Sequence, residues 1–163
     1  MQNIAVKYAD DVIAGKIPAC KHTVRACRRF IADFDRKDII FSLPHYEHAV
    51  NFIQELPHTV GKYQGSKFIL EPWQHFIIGN LFGWLRADTK LRRFTRSYVE
   101  VPRKNGKSTL ASAICLYTLI ADQEAAAQVY SVATKLDQAS IVFEESFREV
   151  NASPSLKEGG WLS

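Results

Sequence analysis

Residues 96–109 read Arg-Ser-Tyr-Val-Glu-Val-Pro-Arg-Lys-Asn-Gly-Lys-Ser-Thr, and few local structures satisfy all parts of that run. The alternation over 97–101 predicts a short strand. Residues 102–106, opened by Pro102 and closed by Gly106, predict a tight basic loop. From Lys107 onward, Leu110, Ala113, Ile114, Tyr117 and Ile120 predict a helix over 107–121, apolar almost all round and so covered on more than one side. A strand feeding a loop whose N–H groups open into a helix N-terminus is an anion site. Gly106-Lys107-Ser108 is the second half of the phosphate-loop pattern G-x-x-x-x-G-K-[ST]; the leading glycine falls at 101, which is Val.

The chemistry of such a loop needs these residue types in this order. Backbone N–H groups converge on phosphate, Lys107 reaches the β- and γ-phosphates of ATP, and the Ser108 hydroxyl holds Mg²⁺. Magnesium keeps several waters, so one side-chain oxygen suffices. Arg103, Lys104, Asn105, Gly106, Lys107, Ser108 and Thr109 form the candidate cofactor-binding run, with Ser108 the metal candidate. Arg103 either faces solvent or stabilises charge near the γ-phosphate, the catalytic role open to it.

Ahead of the loop the chain reads as helical and aromatic. Ile4, Tyr8 and Val12 recur on one face of a first helix that ends near Gly15 and Pro18. Thr23 is placed to cap a second, with Val24, Cys27, Ile31 and Phe34 on its stripe. Arg25, Arg28 and Arg29 lie off that stripe, solvated or paired with Asp33 and Asp35. A short extended piece over 39–41 precedes a third helix burying Ala49, Phe52, Ile53 and Leu56 and stopped by Pro57. Pro72 fits the first position of a fourth helix, which Trp73, Phe76, Ile77, Leu81, Trp84 and Leu85 carry to about 85. Gln74 is either an exposed polar position on that helix or an adenine contact, since its amide donates and accepts together. After the loop helix, 127–133 predicts a second strand. Thr134 to Asp137 predicts a capping box for a last helix burying Leu136, Ala139, Phe143, Phe147 and Val150.

Strand, loop, helix, strand, helix predicts an α/β fold with part of a parallel P-loop-type sheet, preceded by a helical segment. The expected division is 1–95 and 96–163. The 163 residues carry a net charge of +4, and the bias is local: Arg86, Lys90, Arg92, Arg93, Arg96, Arg103, Lys104 and Lys107 face only Asp88 and Glu100 over that interval. For Arg92, Arg93 and Arg96 a solvated loop and a phosphate-facing patch both stand. The 3 cysteines lack C-x-x-C spacing and are read as reduced structural thiols; Cys20, His22 and Cys27 lack a fourth metal ligand. His45 and His48 are read as a solvent-facing pair. No apolar run approaches a membrane span and no secretory leader is visible, so the expected setting is cytoplasmic.

Val-Pro-Arg-Lys-Asn-Gly-Lys-Ser at 101–108 resembles the deviant phosphate loop of the large terminase subunit of tailed double-stranded DNA bacteriophages, in which the first glycine is often absent and a basic residue stands early. Leu70-Glu-Pro-Trp-Gln74 resembles that family's adenine-binding glutamine motif, and Val129-Tyr-Ser-Val-Ala-Thr-Lys135 its next strand. The resemblance implies a motor that drives double-stranded DNA through a portal protein into a procapsid, with a small terminase subunit as partner, homo-oligomerisation when full length and a nuclease domain further on. It implies adenine contact at Trp73 and Gln74, phosphate contact at Lys107, Mg²⁺ at Ser108 and a γ-phosphate role for Arg103. Hydrolysis in such folds needs acidic residues at the end of a later strand. None of the acids after Gly106 follows an apolar strand run. The expectation is therefore an N-terminal fragment that binds ATP without turning it over and cuts no DNA. A helicase-like nucleic-acid motor and a non-catalytic nucleic-acid-binding or assembly domain are the alternatives.

Overall fold

The computed structural model describes residues 3–59, 64–122 and 126–158. They form α1 (Ile4–Ile13), α2 (Lys21–Ala32), β1 (Ile39–Phe41), α3 (Leu43–Glu55), α4 (Pro72–Ile78), β2 (Trp84–Arg86), α5 (Lys107–Leu116), α6 (Leu136–Ala152) and α7 (Pro154–Glu158). The chain divides into two compact units, one of residues 1–50 and 70–98, the other of 51–69 and 99–163.

The first unit is built on rings. Phe30 is fully buried at the centre of α2's inner face. It meets Phe76 of α4 at 5.2 Å and Trp84 of β2 at 5.7 Å between centroids. Phe34 and Phe41 reach Trp84 at 4.9 and 5.2 Å, mostly edge to face, the arrangement that aromatic quadrupoles favour. α1 packs Ala5, Ala9 and Val12 beneath this cluster, its start capped by Asn3, whose carbonyl oxygen accepts from the Ala5 N–H at 2.8 Å.

One expectation fails here for a visible reason. The fourth helix does not run to 85. α4 ends at Ile78, a wide π turn carries Gly79–Gly83, and Trp84 and Leu85 lie in β2, antiparallel to β1 with Phe41 opposite Trp84. Gly83 makes this possible: a Cβ there would meet the Phe41 ring at 2.4 Å. Two glycines four apart weaken the helix, and strand pairing buries both Trp84 and Leu85.

In the second unit α5 packs on α6 through Leu110, Ala113, Leu116 and Val150, all buried. Phe52 meets Tyr117 edge-on at 5.6 Å, and Ile53, Leu56 and Phe68 complete the core. α5 passes into a π turn, Tyr117–Ala121, so the loop helix extends as expected to 121.

The expected parallel sheet is not formed among the described residues. The sheet they contain is the two-stranded antiparallel β1–β2. Residues 97–101 and 127–133 join no ladder there. A strand is held by its neighbours, and no described strand runs alongside either segment. The α/β class stands, on helices and a small sheet.

The last helix buries only part of the face expected of it, Val150 fully and Ala139 by half. Its first residue is Leu136, with Lys135 rather than Thr134 at the cap and no side-chain capping bond. Leu136, Phe143 and Phe147 are exposed, while Glu145, Glu149 and Val150 are buried against α5 and residue 59. An apolar side chain is buried only if something covers it, and no described element covers that outer stripe.

Candidate functional site

The loop before α5 is shaped by two residues at positive φ, Lys104 (+67°) and Gly106 (+69°). Gly106 adopts the left-handed conformation as the residue entering the helix, and only glycine does so without strain. Open space surrounds it, so conformation rather than crowding requires the glycine. Lys104 bears the cost of the same region with a side chain, of about 1 kcal/mol. The Asn105 amide folds the loop back on itself, donating to the Pro102 and Arg103 carbonyls at 3.2 Å each.

The helix that follows opens towards solvent. The Leu110 N–H makes the first intrahelical bond to Gly106 O at 2.9 Å, and no side chain caps the terminus among the described residues. The N–H groups of Lys107, Ser108 and Thr109 are thus the donors that a helix start leaves over. With the positive end of the helix dipole they favour an anion. Arg103, Lys104 and Lys107 are exposed around this terminus, and the Ser108 and Thr109 side chains are half-buried at its edge. The donor set fits a phosphate group, and the Ser108 hydroxyl is the kind of oxygen that magnesium accepts. Among the described residues no three His, Cys, Asp or Glu side chains gather as a metal site.

Gln74 sits elsewhere, in the first unit, 4% exposed. Its side-chain oxygen accepts from the Glu71 N–H at 2.8 Å, and the Glu71 carboxylate accepts from the Gln74 N–H, a capping box that starts α4. Local geometry therefore gives Gln74 a helix-starting task, with Trp73 half-buried beside it. The next residue, His75, is buried with its Nδ1 2.7 Å from the Tyr46 hydroxyl, and burial pushes its pKa down.

Of the basic run, Arg93 is not a free surface charge: it pairs with the buried Asp33 carboxylate and stacks 4.5 Å from the Phe94 ring centroid. Arg92 lies over Phe82 at 5.6 Å, and Arg96 is exposed. Arg29 bonds Asn80 at 3.1 Å and stacks on Phe94, in place of the Asp33 or Asp35 pairing that α2 suggested. The thiols stay apart, Cys20 exposed and Cys27 buried, with burial pushing Cys27 up to about 11.

Sequence reasoning missed Glu149. It is fully buried on α6 against α5, and neither carboxyl oxygen has a hydrogen-bond partner among the described residues. Ser112 is near enough to favour its charged form slightly, yet the Ser112 hydroxyl donates to Thr109 O at 2.9 Å. Desolvation dominates and pushes the Glu149 carboxyl up to about 8, so it is protonated at neutral pH. Its neighbour Glu145 is instead held, accepting from Thr59 at 2.6 Å and from Arg148 at 2.7 Å. The one available signal was Glu145 and Glu149 standing i, i+4 on a helix face, a spacing shared by many solvated pairs.

The fold and loop define a class: an α/β protein in which a left-handed glycine turn opens into an uncapped helix start. The family follows from comparison with known proteins. The model of the terminase large subunit ATPase domain matches residues 72–158, more than half of the chain, and the chain belongs to that family. Membership brings the family's nucleotide binding and its role in DNA packaging. No curated protein and no solved structure matches the chain.

Proposed function

We propose that this chain supplies the nucleotide-receiving part of a bacteriophage large terminase subunit, the ATP-driven motor that packages double-stranded DNA. The observation that carries the reading is the uncapped start of α5 behind a left-handed Gly106, with Lys107 and Ser108 as its first two residues, inside the matched family range. Phosphate oxygens of ATP accept from the N–H groups of residues 107–109, and the Lys107 ammonium offsets their charge. Ser108 is the residue whose hydroxyl would hold Mg²⁺, which would supply neutralisation of phosphate charge. Arg103, on the exposed side of the loop, is the residue proposed to meet the γ-phosphate, with Lys104 and Asn105 shaping the cradle. The portal protein and the small terminase subunit are the partners proposed from family membership, as is a nuclease function elsewhere in a full-length subunit.

The adenine role proposed for Trp73 and Gln74 rests on sequence resemblance. The Gln74 carbonyl has a second lone pair, so it keeps its bond to Glu71 while accepting from an adenine amino group. The parallel P-loop sheet is likewise proposed, with 97–101 and 127–133 as two of its strands.

The chain alone binds ATP without sustained turnover on this reading, because no acid after Gly106 follows an apolar strand run. Calorimetric titration with ATP and Mg²⁺ tests it. The expected result is binding by the wild type and a loss of at least tenfold in Lys107→Ala, with unchanged circular dichroism. A folded wild type that binds no ATP would overturn the reading in favour of a non-catalytic assembly domain. Lys107-dependent steady-state phosphate release would overturn the claim about turnover.

A further inference from the structure

The first unit contains a cavity of about 600 Å³ that the nucleotide reading does not use. It lies where the α2–β1 link meets the turn after β2, walled by Arg36, Lys37, Asp38, Arg86, Asp88 and Arg93, with Phe94 at its edge. Its frame is fixed by backbone: the Ala87 N–H donates to Asp38 O, Arg86 to Leu91 O and Arg93 to Trp84 O, each at 2.9 Å.

Charges in this frame are not balanced. Asp38 is engaged by Arg36, whose Nε donates to it at 2.9 Å. Asp88 accepts from the Thr89 N–H at 2.7 Å. The buried Asp33 holds Arg93 and lies 3.6 Å from Arg36. Lys37 and Arg86 are exposed and meet no carboxylate among the described residues. Beside them Arg29 and Arg93 both stack on Phe94, at 4.9 and 4.5 Å from its centroid. Burial first, and the Arg93 charge second, hold Arg29 below its ordinary pKa, against an opposing pull from Asp33. Like charges held together by a rigid frame are pre-organised for an anion that arrives later.

We propose that this cavity binds the phosphate backbone of duplex DNA, with Lys37 and Arg86 as the contacting cations and Arg93 held by Asp33. Lys90 and Arg96, in the segment that follows β2, are exposed as well. The choice of DNA rests on the packaging role proposed above; the anion chemistry does not.

Fluorescence anisotropy of a labelled duplex against the whole chain, over a range of salt, is the test. The wild type is expected to bind with log K falling linearly in log salt. Lys37→Ala with Arg86→Ala should weaken binding about tenfold at low salt and flatten the slope by about two, one for each phosphate that is no longer neutralised. Both residues are exposed, and circular dichroism with ATP titration should show that the double variant folds and binds nucleotide like the wild type. Lys107→Ala should keep the duplex affinity, so failure here and failure at the nucleotide loop are distinguishable. A double variant with wild-type affinity and slope overturns the proposal. So does a wild type in which inorganic phosphate binds at Lys37 and Arg86, followed by ³¹P line broadening, while the duplex does not.

Discussion

The two units handle their large apolar side chains in opposite ways. In the first, Phe30, Phe76, Phe82 and Trp84 are buried, and Phe41 closes on Trp84 from the next strand. In the second, Val132, Leu136 and Phe143 are 88%, 83% and 69% exposed, and Phe147 lies beside them. Leu119, Val129, Phe143 and Phe147 line an open apolar cavity of about 370 Å³ between α5 and α6. Both units bury polar side chains, but Asp33, Gln74 and His75 of the first are hydrogen-bonded or ion-paired, whereas the carboxyl oxygens of Glu149 in the second have no hydrogen-bond partner among the described residues. The first unit completes its core among the described residues, joining its early helices to the segment from Leu70 onward. The second has, among its described residues, the helices of an α/β layer without the sheet that such helices cover, and its apolar surface is of the kind that such a sheet would bury.

The comparison breaks most sharply at Trp84. Trp84→Ala should cost about 3–5 kcal/mol, read as a lowered urea midpoint of the first unit's transition. A loss below about 1 kcal/mol would mean that the aromatic cluster is not its keystone.

Glu149 sharpens the contrast from the other side. Its folded carboxyl titrates at about 8 against an ordinary 4.5, so the folded state binds the proton more tightly than the unfolded state. The stability this lends is fully present below about pH 4.5 and is lost as pH rises through about 8. Glu149→Gln should remove that dependence and raise stability relative to wild type at pH 9, by on the order of 3 kcal/mol. Parallel wild-type and variant curves of melting temperature against pH would contradict it.

Gly83→Ala places a methyl against the Phe41 ring and should cost about 1–3 kcal/mol by overpacking. Chemical denaturation checks it, together with loss of the near-ultraviolet signal of Trp84. The smallest effect is expected at Phe143→Ser: an exposed ring, so less than about 0.5 kcal/mol in a melt. A large destabilisation there would show that the outward stripe is covered in solution.

Much of the first unit was legible in the sequence. The α3 stripe, the Pro72 start and the extended piece at 39–41 follow from local periodicity and local caps; α1 instead buries Ala5 and Ala9 beside Val12 and exposes Ile4, and α2 starts from Cys20 rather than Thr23 and buries Phe30 while Phe34 lies exposed beyond its end. What escaped was decided by distant neighbours. Trp84 reads as helical until Phe41 is known to lie against Gly83. The apolar stripe of α6 reads as a buried face, and which face is buried depends on what else is present to cover it. Residues 97–101 and 127–133 have the composition of strands, but composition does not supply the pairing. At the candidate site the order Gly106-Lys107-Ser108 was readable because a helix N-terminus is a local device. Glu149 was not, because nothing local distinguishes a buried glutamate from a solvated one. The engagement of Arg93 by Asp33, 60 residues away, was hidden for the same reason.

The extended run at 127–133, Ala-Gln-Val-Tyr-Ser-Val-Ala, has neither charge, proline nor glycine. It turns Val129 and Ser131 to the apolar cavity and leaves Tyr130 and Val132 outside. Such a segment with its backbone unladdered is a template on which another chain can crystallise into cross-β order. A lysine at the exposed positions 130 or 132 is where such pairing would be blocked.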